Sequence, residues 1–342
     1  MRTRITELFG IEHPIILAPM GGVAGGELAA AVARAGGLGL IGCGYGNPSA
    51  GYGSIQWIDD QFEAAGNEKV GAGFISWSLA ERPELLDRVL DRGTDPLFLS
   101  FGDPAPFIPK IRTAGRKLIL QVASLAEARD AARLGADVIV AQGSEAGGHG
   151  AAKRTLFSLL PEVVDAVHPV PVLAAGGVSD GRGLAAALML GAEGVLVGTR
   201  LFASREALGG DALKQRIVES TGDNTVRTRV FDLIRRLDWP SGYTGRAIAN
   251  RFTRTWHGRE EELTAVLGSE EARYWAARDA GDVETAVLFA GEGTGLIHDF
   301  PPAAEVVGRM VREAEAQLQR LRFDPKLIEG AVEEFFKARR SC

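Results

Sequence analysis

Eight short apolar runs, each closing on a break and each followed by an amphipathic stretch, constrain this chain more than any other feature. They are PIILAPM (14–20), LGLIG (38–42), KVGAGFI (69–75), PLFLSFG (96–102), KLILQVAS (117–124), DVIVAQG (137–143), PVLAAGG (171–177) and GVLVGTRLF (194–202). Runs that are continuously apolar rather than alternating belong to strands covered on both faces, hence to a parallel sheet. Between them lie segments such as GGELAAAVARAG, ERPELLDRVLDRG, SLAEARDAARLG and DGRGLAAALMLG. Several start at Ser or Asp and stop at Gly, as capped helices do. Eight strand–helix units are the count of an α/β (β/α)8 barrel, the TIM barrel. A doubly wound sheet would satisfy the alternation too, but has about five to seven strands more often.

The eighth unit is interrupted. Residues 215–301 are rich in helix formers and in Trp and Arg (RVFDLIRRLDW, GRAIANRFTRTW, EARYWAARDAGD), and read as a helical insertion. The chain then returns through FAGEGTGLIHD to a strongly helical 302–321, read as the last barrel helix. On this reading 1–214 and 302–342 form the barrel. An insertion between strand eight and its helix emerges at the C-terminal face, where barrel active sites lie, and is expected to cover the site.

Composition bounds what such a barrel can do. The chain has 342 residues, 46% hydrophobic and 24% charged, ample for one large core. A net charge of −6 with scattered basic residues points away from nucleic acid and anionic membranes. No apolar run approaches the roughly 18 residues of a membrane span. The N-terminal stretch MRTRITELFGIEHP has no signal-peptide core, and two cysteines, Cys43 and Cys342, make no disulfide framework. A soluble cytoplasmic protein is expected.

In a barrel, residues at and just after the strand ends face the site. Here these are Met20, Gly73, Gln121, Gln142 with Glu145 and His149, Ala175-Gly176-Gly177, and Gly198-Thr199-Arg200. The loops AAGGVSDGRG and VGTR after strands seven and eight suit a phosphate: backbone N–H groups in glycine-rich turns leading into a helix make an anion cradle. A tight strand–helix turn would also use Gly176 and Gly177, but the paired GTR favours the phosphate. After strand six, AQGSEAGGHG (141–150) is a flexible glycine-rich loop presenting His149, one of five histidines. Glu145 is either a hydrogen-bond acceptor behind that histidine or a solvated loop acid, and His298 in GLIHD could approach the site. There is no P-loop, GxSxG elbow or metal-ligand spacing, and Cys43 reads as a small buried residue. A phosphate cradle with few charged groups suits a cofactor that brings its own reactivity, and FMN fits.

The segments PIILAPMGG, LQVASLAEAR, AQGSEAGGHG, AAGGVSDGRGLAAALMLGAEGVLVGTRLFAS and AGEGTGLIHD resemble, in the same order, those of the nitronate monooxygenase family, related to the flavin-dependent enoyl-ACP reductase II. The resemblance spans residues 14 to about 320. It implies an FMN-dependent (β/α)8 enzyme with Ala18, Pro19, Met20 and Gly21 lining the flavin ring. It further implies Gln121 and Gln142 bonding the ring, Gly147 near it, and Gly176, Gly177, Gly198 and Thr199 holding the phosphate. His149 matches the family's catalytic histidine. Ala175 and Gly73 complete the expected cofactor-binding set. Gly73 stands where many relatives have Asn, so a flavin contact is missing there or is replaced, by Ser76 or a water. The implied reaction is oxidation of alkyl nitronates or nitroalkanes, such as propionate 3-nitronate, by O2 to a carbonyl compound and nitrite. An NAD(P)H-dependent flavin reductase of quinones or enoyl thioesters is the alternative, and a non-catalytic flavin-binding module the third. The insertion helices could pack on the barrel, on a second subunit in a homodimer, or on both, and the tail 323–342 has apolar helical spacing suited to docking.

Overall fold

The computed structural model describes residues 1–45, 52–151 and 153–320. The tail expected to dock, and Cys342, lie outside them. Each of the eight apolar runs contains one strand of a single parallel sheet. These are β1 (Ile15–Leu17), β2 (Leu40–Gly42), β3 (Gly71–Ile75), β4 (Leu97–Ser100), β5 (Leu118–Val122) and β6 (Val138–Gln142), followed, after a short separate strand β7 (Gly148–Gly150), by β8 (Val172–Ala175) and β9 (Gly194–Val197). The order β1-β9-β8-β6-β5-β4-β3-β2 leaves β1 and β2 at the ends, and Leu38 joins them. The Leu17 N–H donates to the Leu38 carbonyl at 2.9 Å and the Leu38 N–H to that of Ile15 at 3.0 Å. The sheet therefore closes into a TIM barrel.

The strand period of two sorts the apolar side chains into two layers. Ile16, Leu38, Leu40, Phe98, Ile119, Val138, Val140, Leu173 and Leu196 fill the interior. Their neighbours Ile15, Leu17, Ile41, Leu97, Leu99, Ile139, Val195 and Val197 pack outward with the helices. This two-sided burial is why the runs do not alternate. The helix Arg4–Phe9, capped by Thr3, contributes Ile5 to the interior cluster and forms its floor. Other helices begin as expected, with Ser54, Ser124 and Asp180 side chains accepting first-turn N–H groups. The last helix, Ala303–Arg320, packs on Gly181–Met189, where the Glu313 carboxylate accepts the Gly181 N–H at 2.9 Å.

The segment read as a helical insertion is not all helix. Beside helices Val230–Ile234, Arg251–Trp256 and Glu260–Asp279 it holds two strands, β10 (Thr225–Thr228) and β11 (Thr244–Ile248). These pair antiparallel with each other, and β11 pairs with β7, so the insertion and the loop after β6 share one three-stranded sheet. The strands are short, and the edge that selects them lies about 95 residues earlier in the chain, at Gly148–Gly150. A small apolar cluster of Val230, Phe231, Ile234, Phe252, Leu263 and Tyr274 holds the insertion together.

Close helix packing predicts a sensitive position. A Cβ at Gly26 would overlap the Gln61 carbonyl oxygen and crowd the Ala65 nitrogen. Gly26→Ala should therefore cost about 1–3 kcal/mol by forcing apart the helices Gly26–Arg34 and Ile55–Ala65, read as a lowered Tm. Gly210→Ala, at φ −71° with open space around it, should change stability by no more than about 0.5 kcal/mol.

Candidate active site

A cavity of about 920 Å³ opens at the C-terminal ends of the strands. Its lining brings together His149 and the whole expected cofactor-binding set, though not Glu145 or Arg200: Ala18, Pro19, Met20 and Gly21 after β1, Gly73 on β3, Gln121 on β5, Gln142 on β6, and Gly147 and His149 beyond it. Ala175, Gly176 and Gly177 follow β8, and Gly198 and Thr199 follow β9. Arg235, Trp239, Tyr274 and Trp275 of the insertion line it as well.

The loop carrying His149 is a fixed structure rather than a flexible one. His149 is the middle residue of β7, facing Gly245 across the ladder to β11. Gln142 Nε2 donates to the His149 carbonyl at 3.1 Å. Arg227 donates to the carbonyls of Ser144, Ala146 and Gly150, and Arg246 donates twice more to that of Ser144. Burial, and Arg246 beside it, push Arg227 down to about 10.

His149 is 7% exposed, and its Nε2 lies 2.9 Å from Asp232 Oδ1. The same oxygen accepts from Arg235 Nη2 at 3.0 Å. A carboxylate paired with a guanidinium only accepts, so the proton on the imidazole sits at Nε2 and Nδ1 carries the lone pair. Burial holds His149 below the usual histidine range, against the opposing pull of Asp232, so the ring is neutral near pH 7. Trp239 stacks flat on the ring, centroids 3.6 Å apart at 5°, and its Nε1 donates to the Tyr45 hydroxyl at 3.2 Å. Burial keeps that phenol neutral by pushing it up.

Asp232, Arg235 and Trp239 were invisible as partners of His149 in the sequence. The string RVFDLIRRLDW reads as an amphipathic helix, and nothing local says what its acid faces. Conversely, Glu145 is neither a partner of His149 nor a free loop acid. Its carboxylate accepts the Leu156 N–H at 2.9 and 3.0 Å, at the start of helix Leu156–Val167. His298 and Arg200 line a separate cavity of about 400 Å³ with Asp299. Ser76 is buried and does not line the main cavity, so it does not replace the flavin contact expected to be missing at Gly73. A Cβ at Gly73 would overlap the Pro19 ring, which explains the glycine. Cys43 is buried, and burial pushes its thiol up, leaving it inert.

The cradle at β8 and β9 suits an anionic group. Gly176 (φ 106°) and Gly177 (φ 72°) lie in the left-handed region that glycine favours. The N–H groups of Gly176, Gly177 and Val178 have no acceptor among the described residues. Thr199 Oγ1 accepts the Gly291 N–H at 3.0 Å, which leaves its own proton free to donate. These donors fit a phosphate, and the apolar lining near Ala18–Met20 fits a flat ring.

Residues 2–65 and 75–313 match the sequence profile of the nitronate monooxygenase family. The chain belongs to the nitronate monooxygenase family. It is thus an enzyme of the flavin-dependent oxidoreductase class. It is 32% identical to a nitronate monooxygenase of Neurospora crassa, over 91% of each chain. It is 33% identical to the (3aS,4S,5R,7aS)-5-hydroxy-7a-methyl-1-oxo-octahydro-1H-indene-4-carboxyl-CoA dehydrogenase of Mycobacterium tuberculosis, over 93% of this chain and 98% of the relative. Among solved structures, FabK from Thermotoga maritima superposes with a TM-score of 0.78 at 32% identity, covering 94% of this chain and 98% of FabK. The nitroalkane oxidase of Streptomyces ansochromogenes gives 0.75 at 27%, covering 93% and 99%. No helix among the described residues is long and apolar enough to cross a membrane.

The Asp232 contact predicts a tautomer effect. Asp232→Asn lets the amide donate to Nε2 and turns the Nδ1 lone pair into an N–H. Turnover should then fall about a hundredfold or more while the flavin stays bound, as absorbance of the purified variant would show.

Proposed function

We propose that this family member is an FMN-dependent oxidase of alkyl nitronates and nitroalkanes, converting them with O2 to a carbonyl compound and nitrite. The observation that carries this reading is the free Nδ1 of a neutral, rigidly held His149 on the wall of the flavin cavity. FMN, when bound, supplies the electron acceptor. Its phosphate would be taken by Gly176, Gly177, Gly198 and Thr199, and its ring by Ala18–Gly21, Gln121 and Gln142.

The chain's own residues do the rest. A nitroalkane placed at His149 loses its α-proton to Nδ1, and Asp232 compensates the imidazolium that results. Trp239 fixes the ring plane, so the lone pair points one way. A substrate offered as the nitronate has already lost that proton and needs from His149 only a hydrogen bond. A reductase would need the same histidine as a proton donor, and burial opposes the protonated form that role requires.

Two measurements test this. Oxygen uptake and nitrite release should occur with propionate 3-nitronate in the absence of NAD(P)H. His149→Ala should keep the yellow flavin, lose nitroalkane oxidation by about 10²–10⁴-fold, and lose nitronate oxidation by less. Full nitroalkane activity in that variant would overturn the assignment. The pH profile supplies the sign: a base must be deprotonated, so kcat/KM with nitroalkane should rise with pH on a limb centred below about 6.5 and be level at pH 7. Activity that instead falls with rising pH through that limb would identify a proton donor and the reductase.

A further inference from the structure

Phe101, just past β4, has φ +56°, a backbone region that a bulky L-residue occupies only under strain. The strain is held by the Trp77 N–H, which donates to the Phe101 carbonyl at 3.0 Å. It sets the phenyl ring edge-on to Trp239, centroids 5.2 Å apart at 72°. Trp239 meets Tyr45 edge-on as well, at 6.0 Å and 87°. All three rings line the cavity that contains His149, and none belongs to the set that would hold FMN.

Arg235 lines the same cavity with a side chain only 9% exposed. Its Nε donates to the Phe231 carbonyl and its Nη2 to Asp232, whereas Nη1 has no hydrogen-bond partner among the described residues. The open Nη1 belongs to a cation that lines the cavity, so an anionic oxygen of a ligand there would gain a charge-assisted hydrogen bond.

We propose that this side of the cavity takes a substrate joining a flat apolar ring to the carbon deprotonated at His149, with the ring against Phe101 and Tyr45, which the buried Trp239 holds in place, and an oxygen of the anion on Arg235 Nη1. The inference deepens the function proposed above and rests on His149 as the base, and it selects aryl-bearing nitro compounds over short alkyl ones. Edge-to-face ring contacts give the preference its size, about tenfold for two such contacts.

The test separates binding from turnover. The flavin-loaded protein is titrated with phenylacetate, propionate and 2-phenylethanol, following the flavin absorbance. Phenylacetate should bind at least about tenfold more tightly than either of the others, because only it offers both ring and anion. Phe101→Ala should reduce its advantage over propionate by about threefold or more and leave the propionate Kd unchanged. Phenylacetate binding no better than propionate would overturn the ring site, and binding no better than 2-phenylethanol would overturn the role of Arg235. In turnover, kcat/KM for 2-phenyl-1-nitroethane should exceed that for nitroethane by about tenfold. If neither nitro compound reacts while phenylacetate still binds selectively, the nitronate reading fails and the ring-and-anion site stands.

Discussion

The pairing of Gly148–Gly150 with Thr244–Arg246 converts a glycine-rich connection into a support for an imidazole. A loop of this composition loses much backbone entropy on ordering, about 1–2 kcal/mol per residue, and ladder bonds alone are few over three residues. Arg227 and Arg246 supply the rest by capturing the carbonyls of Ser144, Ala146 and Gly150. Bringing two guanidiniums together is unfavourable, and Glu292, 2.7 Å from Arg246, offsets it. The barrel thus positions the start of the loop, and the insertion positions its end.

The electrostatics follow from that placement. A histidine beside a lone buried carboxylate would be drawn toward its charged form. Arg235 balances Asp232, so the buried group of three carries no net charge while the imidazole is neutral. The same pairing explains why Asp232 sits inside an apolar insertion: its charge is met from two sides, and His149 gains a fixed tautomer.

Much of the barrel was legible because its physics is local. A continuously apolar run of five to nine residues is the signature of a strand buried on both faces, and it located β1 to β6, β8 and β9. The residues of the rim were legible for the same reason: strand ends share one face, and those proposed to hold the cofactor line one cavity with His149, whereas Glu145 and Arg200 turn to other partners. What escaped was set by distant pairing. TGRAI and TVRT are short and lie among helix formers; the first becomes a strand on the edge that β7 offers, and the second on the edge of the first. Asp232 and Trp239 acquire meaning only when that sheet brings them against His149. Gly73 was visible as a departure, but its cause, the Pro19 ring, lies across the barrel on another strand end.

Chain order adds a consequence in time. His149 and Asp232 are 83 residues apart, with β8 and β9 between them. As the polypeptide leaves the ribosome, the floor helix, the barrel wall and the glycine cradle are all synthesised before the segment that fixes the histidine. All eight sheet strands and the glycine cradle are thus made before the carboxylate and the indole, and the last barrel helix, Ala303–Arg320, only after them. The base is therefore completed by chain that follows every strand of the barrel sheet, so a truncation before Asp232 would keep all of those strands and lose the histidine's partners.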